Sequence, residues 1–172
     1  MIKMTKSEDD LMAAFAGESQ ANRKYLAFSK VADKDGLKQI AKVFRAAAAA
    51  ETVHAHNHLR AWGGIKTTVE NVKAAIEGEH YEFTKMYPEM LEHAKEDGNK
   101  KAEQSFSFAN EVEKIHHKLY KDALVAAEKG EDLPEKKMAV CPVCGFTVEY
   151  EGEIPEDCPI CGAKKETFIL IE

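Results

Sequence analysis

Ala-Glu-Thr-Val-His at residues 50–54 and Glu-Lys-Ile-His at residues 113–116 decide how this chain is read. Each sets an acid three residues before an imidazole, a step that places both side chains on one face of a helix. The flanking residues supply the helices. Around Glu51 and His54, the residues Leu37, Ile40, Ala41, Phe44, Ala48, Ala55, His58 and Trp62 recur at helical period, and Gly63-Gly64 ends the pattern. Around Glu113 and His116 the same period runs through Ala102, Phe106, Ala109, Tyr120 and Ala123 and stops near Gly130. Both acids and both imidazoles therefore fall on the stripe that an amphipathic helix turns inward.

Two further helices carry lone acids on the matching stripe. The first runs from about Ser7 to Asp33, with Thr5 and Glu8, or Ser7 and Asp10, placed to form a capping box. Its stripe reads Leu11, Ala14, Phe15, Glu18, Ala21, Tyr25, Ser29, Ala32. The other opens at Thr67 with Glu70 and continues through Val72, Ile76, Glu79, Phe83, Met86 and Met90, with Glu82 beside Glu79. Pro88 is expected to kink or interrupt it after Tyr87. Asp35-Gly36 and Asp97-Gly98-Asn99 provide turns. A helix with a lone inward Glu followed by a helix with Glu-x-x-His thus occurs twice, as a weak internal repeat.

An unpaired buried carboxylate costs several kcal/mol unless a proton or cation neutralises it. Four helices aiming carboxylates and imidazoles into one core is the recipe for a di-iron site. Two ferrous ions bring four positive charges, Glu18, Glu51, Glu79 and Glu113 bring four negative ones, and His54 and His116 are neutral ligands. The zero sum suits a buried site. Glu82 is a fifth acid, available to replace a neutral ligand when iron becomes harder.

At 172 residues and 44% apolar content the chain holds one sizeable core and a small appendage. A net charge of -6, with basic residues interleaved among acids, argues against nucleic acid as a partner. No apolar run reaches membrane-span length, and Met1 to Asp10 turns acidic where a signal peptide would be hydrophobic, so a cytoplasmic protein is expected. The charged stretch from Glu128 to Lys137, with Pro134, reads as a linker dividing a helical domain (1–133) from a C-terminal one (134–172). All four cysteines lie in the latter, in Cys141-Pro-Val-Cys144-Gly145-Phe146 and Cys158-Pro-Ile-Cys161-Gly162. Two such steps in a reducing compartment favour a metal over disulfides. Tetrahedral thiolate suits zinc and iron equally.

The sequence resembles rubrerythrin over nearly its whole length. The resemblance rests on Glu18 within Gly-Glu-Ser, the two Glu-x-x-His segments, Gly-Glu-His-Tyr-Glu-Phe-Thr-Lys-Met-Tyr-Pro from Gly78 to Pro88, and the knuckles. It implies an all-α, ferritin-like four-helix bundle with a di-iron site, followed by a small rubredoxin-like domain of β-strands and cysteine knuckles holding one iron on Cys141, Cys144, Cys158 and Cys161. By position it implies that Glu51 and Glu113 bridge the irons and that Glu18 and Glu79 are terminal. It further implies that His54 and Glu82 exchange on one iron while His116 serves the other. Tyr25 and Tyr87 match tyrosines that hydrogen-bond to the carboxylates. The activity implied is reduction of hydrogen peroxide to water, with electrons from reduced rubredoxin or an NADH-linked reductase relayed through the thiolate iron. The rivals are a ferritin-like ferroxidase, against which the appended cysteine domain weighs, and a regulator with a zinc ribbon.

Ferritin-like bundles run their second and third helices parallel. The helix Leu37 to Trp62 would be about 39 Å long, whereas the residues from Gly63 to Thr68 reach only about 20 Å when extended. One chain is therefore expected not to close the bundle alone. Either the helices run up-down-up-down, which spoils the antiparallel relation of the two Glu-x-x-His helices, or two chains exchange halves; the exchange is expected, a homodimer in which the first two helices of one subunit pair with the last two of its partner.

Overall fold

The computed structural model describes residues 5–172; the first four residues of the acidic start lie outside the described residues. The chain forms two compact units, the first ending at Lys66 and the second comprising Thr67–Glu172.

The first unit is a helical hairpin of α1 (Lys6–Lys34) and α2 (Lys38–Trp62). Thr5 and Glu8 form the capping box that starts α1, the first of the two pairs the sequence offers, and Gly63 ends α2 in the left-handed conformation at φ 80°. Small residues let the two helices approach: Ala32, Ala41, Ala48, Ala55 and Ser29 are buried. Asn22 is also buried and ties the pair, donating from Nδ2 to the Ala48 carbonyl (2.6 Å) and to Thr52 Oγ1 (2.8 Å). Two helices cannot enclose a whole stripe. Leu37 and Ile40, on the inward stripe by period, stay exposed, as does Trp62.

The second unit begins with α3 (Thr68–Tyr81), started by the Thr67–Glu70 capping box. It continues through one π turn (Glu82–Met86) into α4 (Tyr87–Glu96), and then α5 (Lys100–Ala127), capped by Asn99. Pro88 does not interrupt the helix; it sits in the first turn of α4, where the π turn returns to α-helix. Proline cannot donate to the carbonyl one α-turn back. The chain adapts upstream by widening into the π turn, where the Tyr87 N–H donates to the Glu82 carbonyl five residues earlier. His117 is half-buried: its Nδ1 meets the Ile76 carbonyl at 3.2 Å and its ring packs against His80 and Phe83.

Beyond α5 a three-stranded antiparallel sheet forms in the order β2-β1-β3, from β1 (Lys137–Val140), β2 (Thr147–Tyr150) and β3 (Ile169–Ile171). Its core is Ala139, Cys141, Phe146, Cys158 and Phe168, with the two phenylalanine rings edge to face at 6.3 Å. Val112 of α5 belongs to the same cluster and is only 2% exposed, with Ile115 packed against it. The sheet is thereby seated on the α5 face that also carries Glu113 and His116.

Candidate metal centres

Helical spacing on each hairpin gathers the carboxylates and imidazoles into two three-ligand half-sites of the same composition. Glu18 of α1 meets Glu51 and His54 of α2, and Glu79 of α3 meets Glu113 and His116 of α5, with the candidate ligand atoms of each trio within 4.8 Å of one another. In the first trio His54 Nδ1 lies 2.8 Å from Glu51 Oε2; in the second His116 Nδ1 lies 2.7 Å from Glu113 Oε2 and 3.9 Å from Glu79 Oε2. The internal repeat of the sequence is thus a repeat of coordination chemistry.

The second half-site is crowded with acids. Burial pushes the Glu79 carboxyl up to about 7, reinforced by its hydrogen bond to Glu113 and by the charges of Glu113 and Glu82. Burial likewise raises Glu82, with Glu113 adding to the effect and His116 opposing it. Tyr87 is raised by burial and then by Glu82, Glu113 and Glu79. The π turn starts at Glu82, so the fifth acid sits where the α-helical hydrogen-bond register changes. Glu82 is not in either trio, and it stands close enough to Glu113 and Glu79 to act on their charge. Tyr25 packs against Phe28 and Phe44, and Tyr87 against Phe106. Neither tyrosine hydroxyl is hydrogen-bonded to a carboxylate among the described residues.

A hydrogen-bond chain defines the state of His116. Thr147 of β2 spends its one hydroxyl proton on the Gly145 carbonyl (3.0 Å), so at 2.9 Å its oxygen accepts from His116 Nε2–H. A neutral His116 then presents the bare lone pair of Nδ1 to the Glu113 oxygen at 2.7 Å. Two lone pairs at that distance repel unless a proton or metal cation lies between them. The donor set, two carboxylates and an imidazole in each half, fits iron.

In the cysteine domain the four thiols converge without forming disulfides, with Cys141 Sγ to Cys161 Sγ and Cys144 Sγ to Cys158 Sγ both 3.5 Å. Metal–sulfur bonds of ~2.3 Å in a tetrahedron would set sulfur atoms about 3.8 Å apart, so the cage is already metal-sized. Each knuckle closes on a left-handed glycine, Gly145 (φ 86°) and Gly162 (φ 75°), which turns backbone N–H groups toward sulfur. Burial pushes the Cys158 thiol up, but the N–H groups of Cys161 and Ile160 outweigh it and bring it down to about 7. Burial keeps the Cys144 thiol raised.

Paired Glu–Glu–His half-sites followed by a four-thiolate cage define the class: ferritin-like di-iron proteins with a rubredoxin-like iron domain. Residues 9–124 match the family model described as Rubrerythrin, and residues 140–169 the model described as Rubrerythrin, rubredoxin-like domain. The chain is 38% identical to Rubrerythrin-2 of Clostridium acetobutylicum, over 97% of each protein. It is also 38% identical to Nigerythrin of Nitratidesulfovibrio vulgaris, over 93% of this chain and 84% of that one. The solved structure of mixed-valent nigerythrin is similar with a TM-score of 0.55 at 32% identity, covering 98% of this chain and 88% of that one. This chain belongs to the rubrerythrin family. Its cofactors are accordingly a di-iron centre in the helical part and one iron on Cys141, Cys144, Cys158 and Cys161. Rubrerythrins are di-iron proteins of oxidative-stress defence, and an oxidoreductase activity goes with the family. No helix among the described residues is long and apolar enough to cross a membrane.

Thr147 and Val112 are the residues that reading the sequence missed. Thr147 lies three residues after Cys144, in a segment legible only as a short strand, and Val112 is one apolar residue among many on α5.

Proposed function

We propose that this protein is a cytoplasmic peroxidase that reduces hydrogen peroxide to water, with electrons entering through the thiolate iron from reduced rubredoxin or an NADH-linked reductase. The observation that carries the reading is the duplicate Glu–Glu–His trio, placed beside a fifth acid that the site's charge balance does not need. When bound, the iron pair supplies two electrons to the O–O bond and polarises its oxygens.

The chain's own residues do the rest. Glu18, Glu51, His54, Glu79, Glu113 and His116 would hold the iron pair, the carboxylates balancing its charge and the imidazoles serving as neutral ligands. Glu82, one turn after Glu79 and raised by burial, would hold a proton and deliver it toward the reacting oxygens, and would be the carboxylate available to exchange with His54. Tyr25 and Tyr87 order the carboxylates around it. The seating of the cysteine domain on α5 through Val112, and the Thr147–His116 hydrogen bond, support a relay from the cage to the helical site. The helical domain spans residues 1–133 and the rubredoxin-like domain residues 134–172.

Each hairpin offers half of the ligands, and the segment Gly63–Thr67 joining them is short against α2, which at 25 residues is about 37 Å long. The functional unit is therefore a domain-swapped homodimer, with each iron pair held by α1 and α2 of one subunit and the third and fifth helices of its partner.

The test is anaerobic mixing of the fully reduced protein with peroxide while both iron centres are watched. The thiolate iron should be reoxidised in wild type, and the reoxidation should collapse in Glu51→Ala and Glu113→Ala. A thiolate iron that stays reduced in wild type, or is reoxidised equally in both variants, would refute the relay.

A further inference from the structure

The two half-sites match in composition but not in surroundings. Among the described residues His54 is hydrogen-bonded to Glu51 alone, whereas His116 is held at both nitrogens, by Glu113 and by Thr147. The hold on Nε2 comes from outside the helical hairpin. Thr147 sits at the start of β2, and its hydroxyl is oriented by the Gly145 carbonyl, next to the cage ligand Cys144. Gly145 in turn faces Val112, one residue before Glu113, at contact distance: a Cβ there would lie 3.7 Å from Val112 Cγ1. One chain of contacts therefore runs from the cage through Gly145 and Thr147 to His116.

From this asymmetry we infer that Thr147 is the positioning residue that makes His116 the fixed histidine of the metal site and leaves His54 free to exchange. An imidazole whose outer nitrogen is held by a protein acceptor keeps its ring plane and tautomer, and its inner nitrogen stays aimed at the metal. An imidazole without that partner turns about its side-chain bonds and exchanges at little cost. The seated cysteine domain then adds to the inequivalence that Glu82 already gives the helices, fixing the histidine of the trio beside which that acid stands. Thr147 touches neither substrate nor metal; it acts through His116. The inference rests on the reading that the His116 trio holds metal, and it does not need peroxide to be the substrate.

Thr147→Val keeps the shape and β-branching of the residue and removes the hydroxyl, both the acceptor for His116 and the donor to the Gly145 carbonyl, while Thr147→Ser keeps the hydroxyl. Full-length dimer labelled with 15N-histidine and loaded with zinc at the helical sites should show a His116 Nε2–H signal protected from solvent exchange in wild type and Thr147→Ser. In Thr147→Val it should exchange rapidly. In the ferrous protein, chelator should extract one of the two helical irons about 10- to 100-fold faster from Thr147→Val than from wild type, with Thr147→Ser near wild type. An unchanged thiolate-iron visible spectrum checks that the domain is folded in each variant. Equal protection and equal extraction in Thr147→Val and wild type would overturn the inference. Peroxide failing to oxidise wild-type protein that shows the predicted protection would overturn only the peroxidase reading.

Discussion

Replacing Glu79 by Gln should make the helical part more stable without metal and less stable with it. The Glu79 carboxyl is 19% exposed and lies among Glu113, Glu82 and His116, where burial and the neighbouring acids raise it from 4.5 to about 7. A carboxyl raised on folding binds its proton more tightly in the native state. Its contribution is fully present below pH 4.5 and is lost as pH rises through about 7. The full shift corresponds to an upper bound of about 3 kcal/mol, which water reaching the carboxyl reduces to roughly 1–2 kcal/mol. With the helical irons removed and the thiolate iron kept, wild type should lose that amount between pH 5 and pH 8. Glu79→Gln, which mimics the protonated acid at every pH, should not. Thermal unfolding followed by circular dichroism reads the difference: the metal-free variant should match wild type near pH 5 and melt about 2–8 °C higher at pH 8. Added ferrous ion should reverse the order, because it replaces the missing proton in wild type and finds one ligand fewer in the variant. Metal-free wild type holding its melting temperature from pH 5 to pH 8, or a variant no more stable than wild type at pH 8, would refute the reasoning.

Three further outcomes are expected. About twenty Gly and Ser residues inserted between Ile65 and Lys66 give the connector a reach beyond the length of α2, so light scattering should show the dimer converting to a monomer that still binds two helical irons; a wild-type monomer with both irons bound would refute the swap. Val112→Ala removes two buried methyl groups, and the seating of the cysteine domain on α5 should weaken by about 2 kcal/mol, seen as faster proteolysis in the Glu128–Lys137 linker with the thiolate-iron spectrum intact. Cys158→Ser takes a ligand from the centre of the cage, so bound metal and the β-sheet signals should be lost by NMR while helical circular dichroism is kept.

How legible the molecule is from its sequence depends on the range of the interaction concerned. The Thr5–Glu8 and Thr67–Glu70 capping boxes, the left-handed Gly63, the Glu-x-x-His steps and the knuckle glycines all act within four residues, and each appears in the structure as its spacing indicates. The π turn at Glu82 was legible only in part. Pro88 announces a lost hydrogen bond, but the spacing does not say whether the chain bends, stops or, as at Glu82–Met86, widens into a π turn. The half-burial of His117 is likewise set by tertiary packing, since His80 and Phe83 lie across from it.

The residue pattern alone, then, determined which side chains could ligate metal, because a helix converts spacing into direction at every turn and a glycine after a cysteine sets the knuckle locally. Tertiary structure alone decided that His116 is held from outside its hairpin and that the acids around Glu79 act on one another. The contact of Thr147 with His116 spans thirty-one residues, and the raised pKa of Glu79 depends on carboxylates brought together from separate helices. Hydrogen bonding and charge repulsion act over a few ångströms of space, so partners distant along the chain meet only once the domains have packed.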